Sequence, residues 1–443
     1  MSLGVARLRR LVAWFVPTGA DGLAIRRNVG WLVAERAFRL VVGLAINVWL
    51  VRYLGADRLG LLGFTHSLVV LFSVVSVLGI ESILVRELGR RPREAGELLG
   101  TALGLRLGGA VLTLAFSIGA IALLRPDDRT ALALALILGS VTFAQAFDII
   151  EQWFQSRTAF GPYVIARSIG FVGGSLAKIA CLLASATLEW IALAMAVEFL
   201  VAAVALLVVY RGARAERQPW HFRLPLAARL MRETWPLMIN GLAIVVYTRT
   251  DQVMLALLRG DHENGVYAAA QRLSEVLYFV PVAAVAAATP ALHRSFLASP
   301  PEYRRRLTRL FGALAWTAVI AAASVSLLSS AVTAALFGET FRASGPVLAL
   351  HVWAAPAMFL GVAQSHWFIA HGRQRDLMMR TLIGAAMNVA LNAALIPRFG
   401  ASGAAAASLM SQAVASVFLN ALFPSTRELF RMQMRALLAV PMR

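Results

Sequence analysis

Cysteine and lysine are almost absent from this chain of 443 residues: each occurs once, as Cys181 and Lys178. One thiol can form neither an internal disulfide nor a four-ligand zinc site. Cys181 lies in an apolar run and reads as a small core residue. Charge is scarce as well, at 15% of the residues, where a soluble domain carries roughly 25%. The seven histidines show no metal-ligand spacing, since His66, His351, His366 and His371 have no carboxylate or second histidine four positions away. No Gly-rich phosphate loop of Walker type is present. No segment between apolar runs exceeds about 25 residues, which excludes a nucleotide-binding module. These absences argue against a soluble enzyme, a metalloprotein and an ATP-driven pump, and no catalytic residue, metal or cofactor is expected.

What is present is apolar. Hydrophobic residues make up 59% of the chain, and runs of about 20, enough for a helix to cross the hydrocarbon core, recur throughout. Only helices and closed barrels satisfy every backbone group in lipid, and the long runs lack the alternation of barrel strands. The pattern predicts an all-α integral membrane protein of about twelve spans, near 28–51, 61–83, 98–123, 131–154, 162–186, 188–210, 235–258, 266–292, 308–336, 346–370, 379–396 and 401–423.

The net charge of +19 comes almost entirely from arginine. In a soluble protein it would suggest nucleic acid; here it sorts by loop. Counting alternate gaps along the chain places 28 arginines on one side and 7 on the other. Cytoplasmic loops carry the excess, so both termini are expected in the cytoplasm, the span number is even, and nucleic acid is not an expected partner. The same loops can touch anionic lipid headgroups. Residues 1–20 faintly resemble a signal peptide, but the apolar part is short and Arg26 and Arg27 follow it, so an uncleaved interfacial segment is expected.

An internal repeat organises the spans. Gly55 and Gly60 recur as Gly260 and Gly265, 205 residues later, each pair in a short turn that ends one helix and starts the next. The expected organisation is an N-terminal cytoplasmic or interfacial segment (1–27), a six-helix lobe (28–210), a basic cytoplasmic linker (211–234), a second six-helix lobe (235–423) and a cytoplasmic tail (424–443). A binding site is expected between the lobes near the midplane.

Several ionisable residues fall inside the spans, where an ionised group costs roughly 2.5–3.5 kcal/mol at the bilayer centre. At about 1.5 Å per residue, Arg39 lies about 16 Å into span 1 and Glu275 about 14 Å into span 8. Glu35, Arg36 and Arg272 lie close by, and Arg249 and Asp251 sit on span 7. Ion pairing such as Arg272 with Glu275 would account for any one pair. The set leaves Arg36, Arg39, Arg249 and Arg272 with a net positive potential suited to an anion. Arg106, Arg167, Lys178 and Glu198 are expected near span ends, where snorkelling is cheap. Asp148 and Glu151 on span 4 could bind a coupling proton or sodium ion, or pair with Arg157 or Arg167.

Particular stretches resemble the Wzx-type polysaccharide flippases, within the MOP superfamily that also holds the MATE drug antiporters and lipid II flippases. They are Val51-Arg52-Tyr53-Leu54-Gly55, Leu78-Gly79-Ile80-Glu81, Gln152-Trp153-Phe154-Gln155, Tyr247-Thr248-Arg249-Thr250-Asp251, Gly265 to Leu273, Leu336-Phe337-Gly338, Asn388 with Asn392, and Ile396 to Ala405. Ser156 stands where the family often has glycine. The resemblance, over residues 28–423, implies a MATE-like carrier in the bacterial inner membrane. Its cargo would be an undecaprenyl-pyrophosphate-linked oligosaccharide for O-antigen or exopolysaccharide, moved to the periplasmic leaflet by alternating access. It also implies a central cationic cavity, to which Arg36, Arg39, Arg249 and Arg272 would correspond. Glu35, Asp148, Glu151, Asp251 and Glu275 are the candidates for ion coupling or cavity pairing, with H+ or Na+ as the coupling ion. Membrane lipids and a polysaccharide polymerase are the expected partners. Tyr247, Tyr267 and Trp153 are placed to stack on sugar faces, although packing is the commoner role for each. The competing readings are a lipid II flippase, a cation-coupled drug exporter and an intramembrane glycosyltransferase. The last usually needs a catalytic carboxylate in a sizeable outer loop, and the outer loops here are short.

Overall fold

The computed structural model describes residues 20–213 and 218–438, except for the side chains of 20–38 and 40. Among the described residues every regular element is helical, and ten segments are long and apolar enough to cross a membrane. The helices are α1 (Ala20–Val77), α2 (Glu81–Arg90), α3 (Ala95–Leu124), α4 (Arg129–Gln145), α5 (Ile149–Ser156), α6 (Phe160–Leu183), α7 (Leu188–Gly212) and α8 (Leu224–Arg259). They continue with α9 (Asp261–Glu275), α10 (Phe279–Ala298), α11 (Pro300–Phe337), α12 (Ser344–His351), α13 (Ala354–Ala370), α14 (Gln374–Ala413), α15 (Leu419–Leu422) and α16 (Arg427–Leu438).

Two of these are not continuous. The 58-residue α1 breaks at Gly55 (φ 68°, ψ 178°), and the 40-residue α14 breaks at Gly400 (φ 54°, ψ −133°). Gly260, between α8 and α9, has φ 90° and ψ 174°, nearly the dihedrals of Gly55. A side chain is strained at positive φ, so the chain needs glycine at both copies of the turn. Where α4 meets α5, and again where α9 meets α10, one tight helical turn interrupts the path, at Ala146–Asp148 and Val276–Tyr278.

The chain divides into two compact units. One is Val41–Ala268. Its core gathers Leu84, Leu88, Leu98, Ile149, Ile150, Trp153, Phe154, Leu206 and Leu230, and a second cluster forms around Phe64, Ile121, Ala131 and Ala135. Apolar burial gives little drive between helices in lipid, so close packing and hydrogen bonds matter more. On α6, Gly170 and Gly174 abut α7 so closely that a Cβ on Gly174 would lie 2.4 Å from the Cβ of Glu198. The same crossing is tied by Lys178 and Glu198, 3.0 Å apart. An extended segment before α8 lies along α3. Gly96, Gly100 and Gly104, one turn apart, leave room for Gln218 to Phe222, and Arg223 and His221 both bond Glu97. Glu97 holds the Arg223 guanidinium above its ordinary value through that hydrogen bond.

The other unit is Ala269–Arg443 with the N-terminal residues up to Leu40. Its core joins Leu307, Phe311, Phe359, Leu360, Trp367, Phe368, Leu429 and Met432. Helix α16 is amphipathic: Leu429, Met432, Gln433 and Ala436, at helical spacing, are buried, while Arg427, Arg431 and Arg435 face outward.

Candidate functional site

The expected site residues fall in both units. Arg39, Arg272 and Glu275 belong to the unit that holds α10 to α16; Arg249, Asp251, Asp148 and Glu151 belong to Val41–Ala268. The side chains of Glu35 and Arg36 lie outside the described residues. Arg39, Arg249, Arg272 and Glu275 are all half-buried, and none is without a partner. Glu275 accepts a hydrogen bond from the amide of Gln271, 3.0 Å away.

Asp148 and Glu151 form the clearest charged cluster. Asp148 ends the tight turn between α4 and α5, and Glu151 lies three residues on, so both project from one side of the α5 start. Arg167 on α6 reaches both: its Nη2 lies 3.0 Å from an oxygen of Asp148 and 3.0 Å from one of Glu151. Gln155 adds a bond of 3.1 Å to Glu151. The three charged side chains are 24%, 17% and 20% exposed, a shielded but not closed setting. Of the two expected partners, Arg167 takes this role; Arg157 instead lies over the Trp153 ring, 4.0 Å from its centroid.

Arg106 departs from the expectation. It is only 2% exposed and sits eleven residues into α3 rather than at a span end. Its Nε and Nη1 have no hydrogen-bond partner. In the same unit, ion pairs join Arg167 to Asp148 and Glu151. Arg167 and Lys178 lie seven and five residues from the two ends of α6 and are ion-paired there.

Asp251 is 1% exposed and accepts the phenolic proton of Tyr267 and the backbone N–H of Gln252. Beside it, the side chain of Gln252 accepts the hydroxyl of Ser67 at 3.0 Å. Tyr267 is fully buried and Trp153 nearly so. Trp153 packs edge-on against Phe154 and Tyr210, so these two aromatics are structural and cannot stack on a sugar. Tyr247 is half-buried. Cys181 is half-buried at the edge of α6 rather than in a core.

The second unit holds a buried polar network that sequence reasoning missed. Arg380 donates to Asn420 (3.0 Å) and Thr426 (2.7 Å). Asn420 in turn donates to Gln364 and Gln433 (2.8 and 3.1 Å), and Gln433 to Gln364 (3.3 Å). The signal that could have found it is Gln433, an amide on the otherwise apolar face of α16. Asn392 and Asn388 are fully buried and bonded to each other at 3.0 Å, with Ser411 accepting from Asn388. Ser274 and His351 are bonded at 2.6 Å. No group of three histidine, cysteine or acidic residues suited to a metal ion occurs among the described residues.

These features meet independent comparisons. A family model described as "Polysaccharide biosynthesis protein" matches residues 25–296. Among solved structures, the chain is similar to an inward-facing multidrug resistance MATE family transporter of the MOP superfamily, at 15% identity and TM-score 0.73. That alignment covers 91% of this chain and 96% of the other. It is similar to the lipid II flippase MurJ in an inward closed conformation, at 12% identity and TM-score 0.72, over 92% and 90% of the two chains. A MOP superfamily transporter from Pyrococcus furiosus, described as having a binding pocket of reverse polarity, matches at 15% identity and TM-score 0.61, over 91% and 93%. No curated protein matches the sequence at a significant level. At these identities the structures establish the fold, that of the MOP transporters.

Proposed function

The chain belongs to the polysaccharide biosynthesis protein family, the family of Wzx-type flippases, and from that premise we propose that its cargo is an undecaprenyl-pyrophosphate-linked oligosaccharide. The protein moves this lipid from the cytoplasmic to the periplasmic leaflet of the bacterial inner membrane by alternating access, with both termini cytoplasmic and twelve crossings. The breaks at Gly55 and Gly400, which divide two of the ten long segments, support that count. The observation that carries the cargo class is the presence of arginines within membrane-spanning helices of a flippase-family chain. A pyrophosphate sugar headgroup is too strongly hydrated to cross hydrocarbon alone, and arginine replaces its hydration with a fixed fork of donors. Arg36, Arg39, Arg249 and Arg272 are assigned to this role. Asp148 and Glu151, partly exposed and already sharing one arginine, are assigned to a coupling proton or sodium ion. Glu35, Asp251 and Glu275 pair with the cationic groups, and a polymerase receives the flipped product.

The test is export. Arg39→Ala and Arg272→Ala should each abolish surface polysaccharide while protein level and membrane insertion stay unchanged. Polymer at the wild-type level in both would overturn the arginine assignment. Two further outcomes would redirect the reading: a lethal cell-wall defect on depletion points to lipid II as cargo. Drug resistance on overexpression, with intact polysaccharide on deletion, points to a drug exporter.

A further inference from the structure

Spans 8 and 10 are each broken once, and the two breaks meet. In span 8 the turn Val276–Tyr278 separates α9 from α10; in span 10 Val352 and Trp353 separate α12 from α13. A proline follows each break, Pro281 and Pro356, and has no N–H to give to the carbonyl four residues earlier. The backbone around Val352 tightens instead: the N–H of Ala355 bonds the Val352 oxygen at 3.0 Å, and that of Trp353 bonds Leu350 at 3.2 Å. The span 8 turn packs against α13, with Leu277 and Tyr278 on the core that holds Ala355, Phe359 and Leu360.

One buried hydrogen bond pins the breaks together. Nδ1 of His351, the last residue of α12, lies 2.6 Å from Oγ of Ser274, one residue before the end of α9. His351 is 4% exposed and Ser274 1%. The same hydroxyl reaches the backbone oxygen of Gln271 at 3.2 Å, and the Gln271 amide donates to Glu275 at 3.0 Å. A bonded line thus runs from an imidazole on span 10 to a carboxylate on span 8. The ionisable neighbours within a turn of Ser274 are Arg272, Glu275 and Tyr278. Helix α12 also packs against α11 and α14, and these have no ionisable residue at 310–337 and 381–397 respectively. On α10 and α13 the first ones are His293 and His366, each about four turns away.

Ser274 has one proton to donate, so the state of the ring decides where it points. Neutral histidine can present Nδ1 as an acceptor, which turns the hydroxyl toward the ring, or as a donor, which turns it toward Gln271. Protonated histidine carries hydrogen on both nitrogens, so the second arrangement alone survives. Histidine is the side chain that ordinarily changes charge near neutral pH, and one so buried trades its proton in a state that admits water.

We propose that His351 binds a coupling proton in this unit. A proton from water bonds to the ring nitrogen that lacks one, and returns to water when the breaks move. Ser274 is the positioning residue that passes the change to the span 8 turn, and so to Arg272 and Glu275 beside it. What the proton drives rests on the flippase reading above, and the site is additional to Asp148 and Glu151, which belong to the other unit.

The experiment uses the full-length protein in liposomes, with Leu277→Cys in a Cys181→Ser background as reporter. Labelling by a maleimide at about pH 5.5 and about pH 8, on either side of histidine's ordinary range, is taken relative to the same chain denatured at each pH. The two values should differ at least fivefold. In His351→Asn, which keeps a hydrogen-bonding group beside Ser274 but takes up no proton here, they should agree within twofold. Equal labelling at both pH values with His351 present overturns the proposal, as does a fivefold difference that survives in His351→Asn. Ser274→Ala breaks the line and keeps the imidazole, so it decides the matter if His351→Asn does not insert: it should also abolish the difference, and a difference that persists removes Ser274 from its role. In cells His351→Asn should lower polysaccharide export at least tenfold at unchanged protein level, and export at the wild-type rate overturns the coupling. If deletion of the protein leaves polysaccharide unchanged, the cargo reading fails while the labelling still decides the proton site.

Discussion

Replacing Arg167 by glutamine tests whether the charged cluster of α5 and α6 is held as a unit. In Arg167→Gln, Asp148 and Glu151 lose the one guanidinium that bonds both of them, each at 3.0 Å. Removing one partner of a buried ion pair costs roughly 3–5 kcal/mol, because the remaining charge is left without compensation. All three side chains are about one-fifth exposed, so water screens part of that loss and about 2 kcal/mol is expected. The decisive comparison is with the triple variant Arg167→Gln, Asp148→Asn, Glu151→Gln. It removes the charges along with their counter-charge, and fully neutral replacements of buried pairs are often close to neutral in stability. Thermal unfolding of the purified proteins in detergent should therefore rank wild type and the triple variant together, with Arg167→Gln clearly below both. A triple variant less stable than the single one, with effects that simply add, would refute the coupling.

The same triple variant separates stability from coupling: it should reach the membrane in normal amount yet export little polysaccharide, and full export would remove Asp148 and Glu151 from the ion-coupling role. Gln433→Leu leaves Asn420 and Gln364 each short of a partner, at a cost of about 1–3 kcal/mol for buried polar groups left unpaired. Helix α16 should then loosen, and trypsin should cleave at Arg427 or Arg431 several times faster than in the wild type. Equal cleavage rates would show that apolar packing alone seats the helix.

The parts of the fold that were legible in the sequence are those for which only one residue type satisfies the geometry. Apolar length without the alternation of barrel strands marks the spans, because a helix is then the one way to satisfy the backbone in lipid. Gly55, Gly260 and Gly400 mark breaks because a positive φ is costly for other residues. The charged cluster was half legible. The cost of burying Asp148 and Glu151 announced that a partner existed, but α6 returns past α5 with a register that the sequence does not print, so Arg167 and Arg157 stood level. Arg106 was misplaced for a related reason. Depth along a helix can be counted, whereas the direction a side chain faces depends on neighbours contributed by α2, α5 and α6.

The repeat shows how far such reading reaches. Its two copies share backbone geometry at Gly55 and Gly260, and a mutual close approach at Gly60 and Gly265, yet their chemistry has diverged. Asn264 stands where the first copy has Leu59, and Asp261 where it has Ala56. All four positions are enclosed to some degree, and Leu59 and Asn264 are both fully buried. A purely structural contact on a two-fold axis has no need of such asymmetry, because apolar residues on both sides would pack as well. The polar residues of the second copy give the contact ties of fixed direction, Asn264 to the Gly60 oxygen and Asp261 to Arg125 beyond the end of α3. The divergence of the copies thus gives the contact a direction that a symmetric pair would lack. Asn264→Leu, which restores the residue of the first copy, removes the donor to the buried Gly60 oxygen and should lower stability in detergent by about 1–3 kcal/mol. Thermal unfolding at the wild-type temperature would show that the asymmetry has no part in holding the turns together.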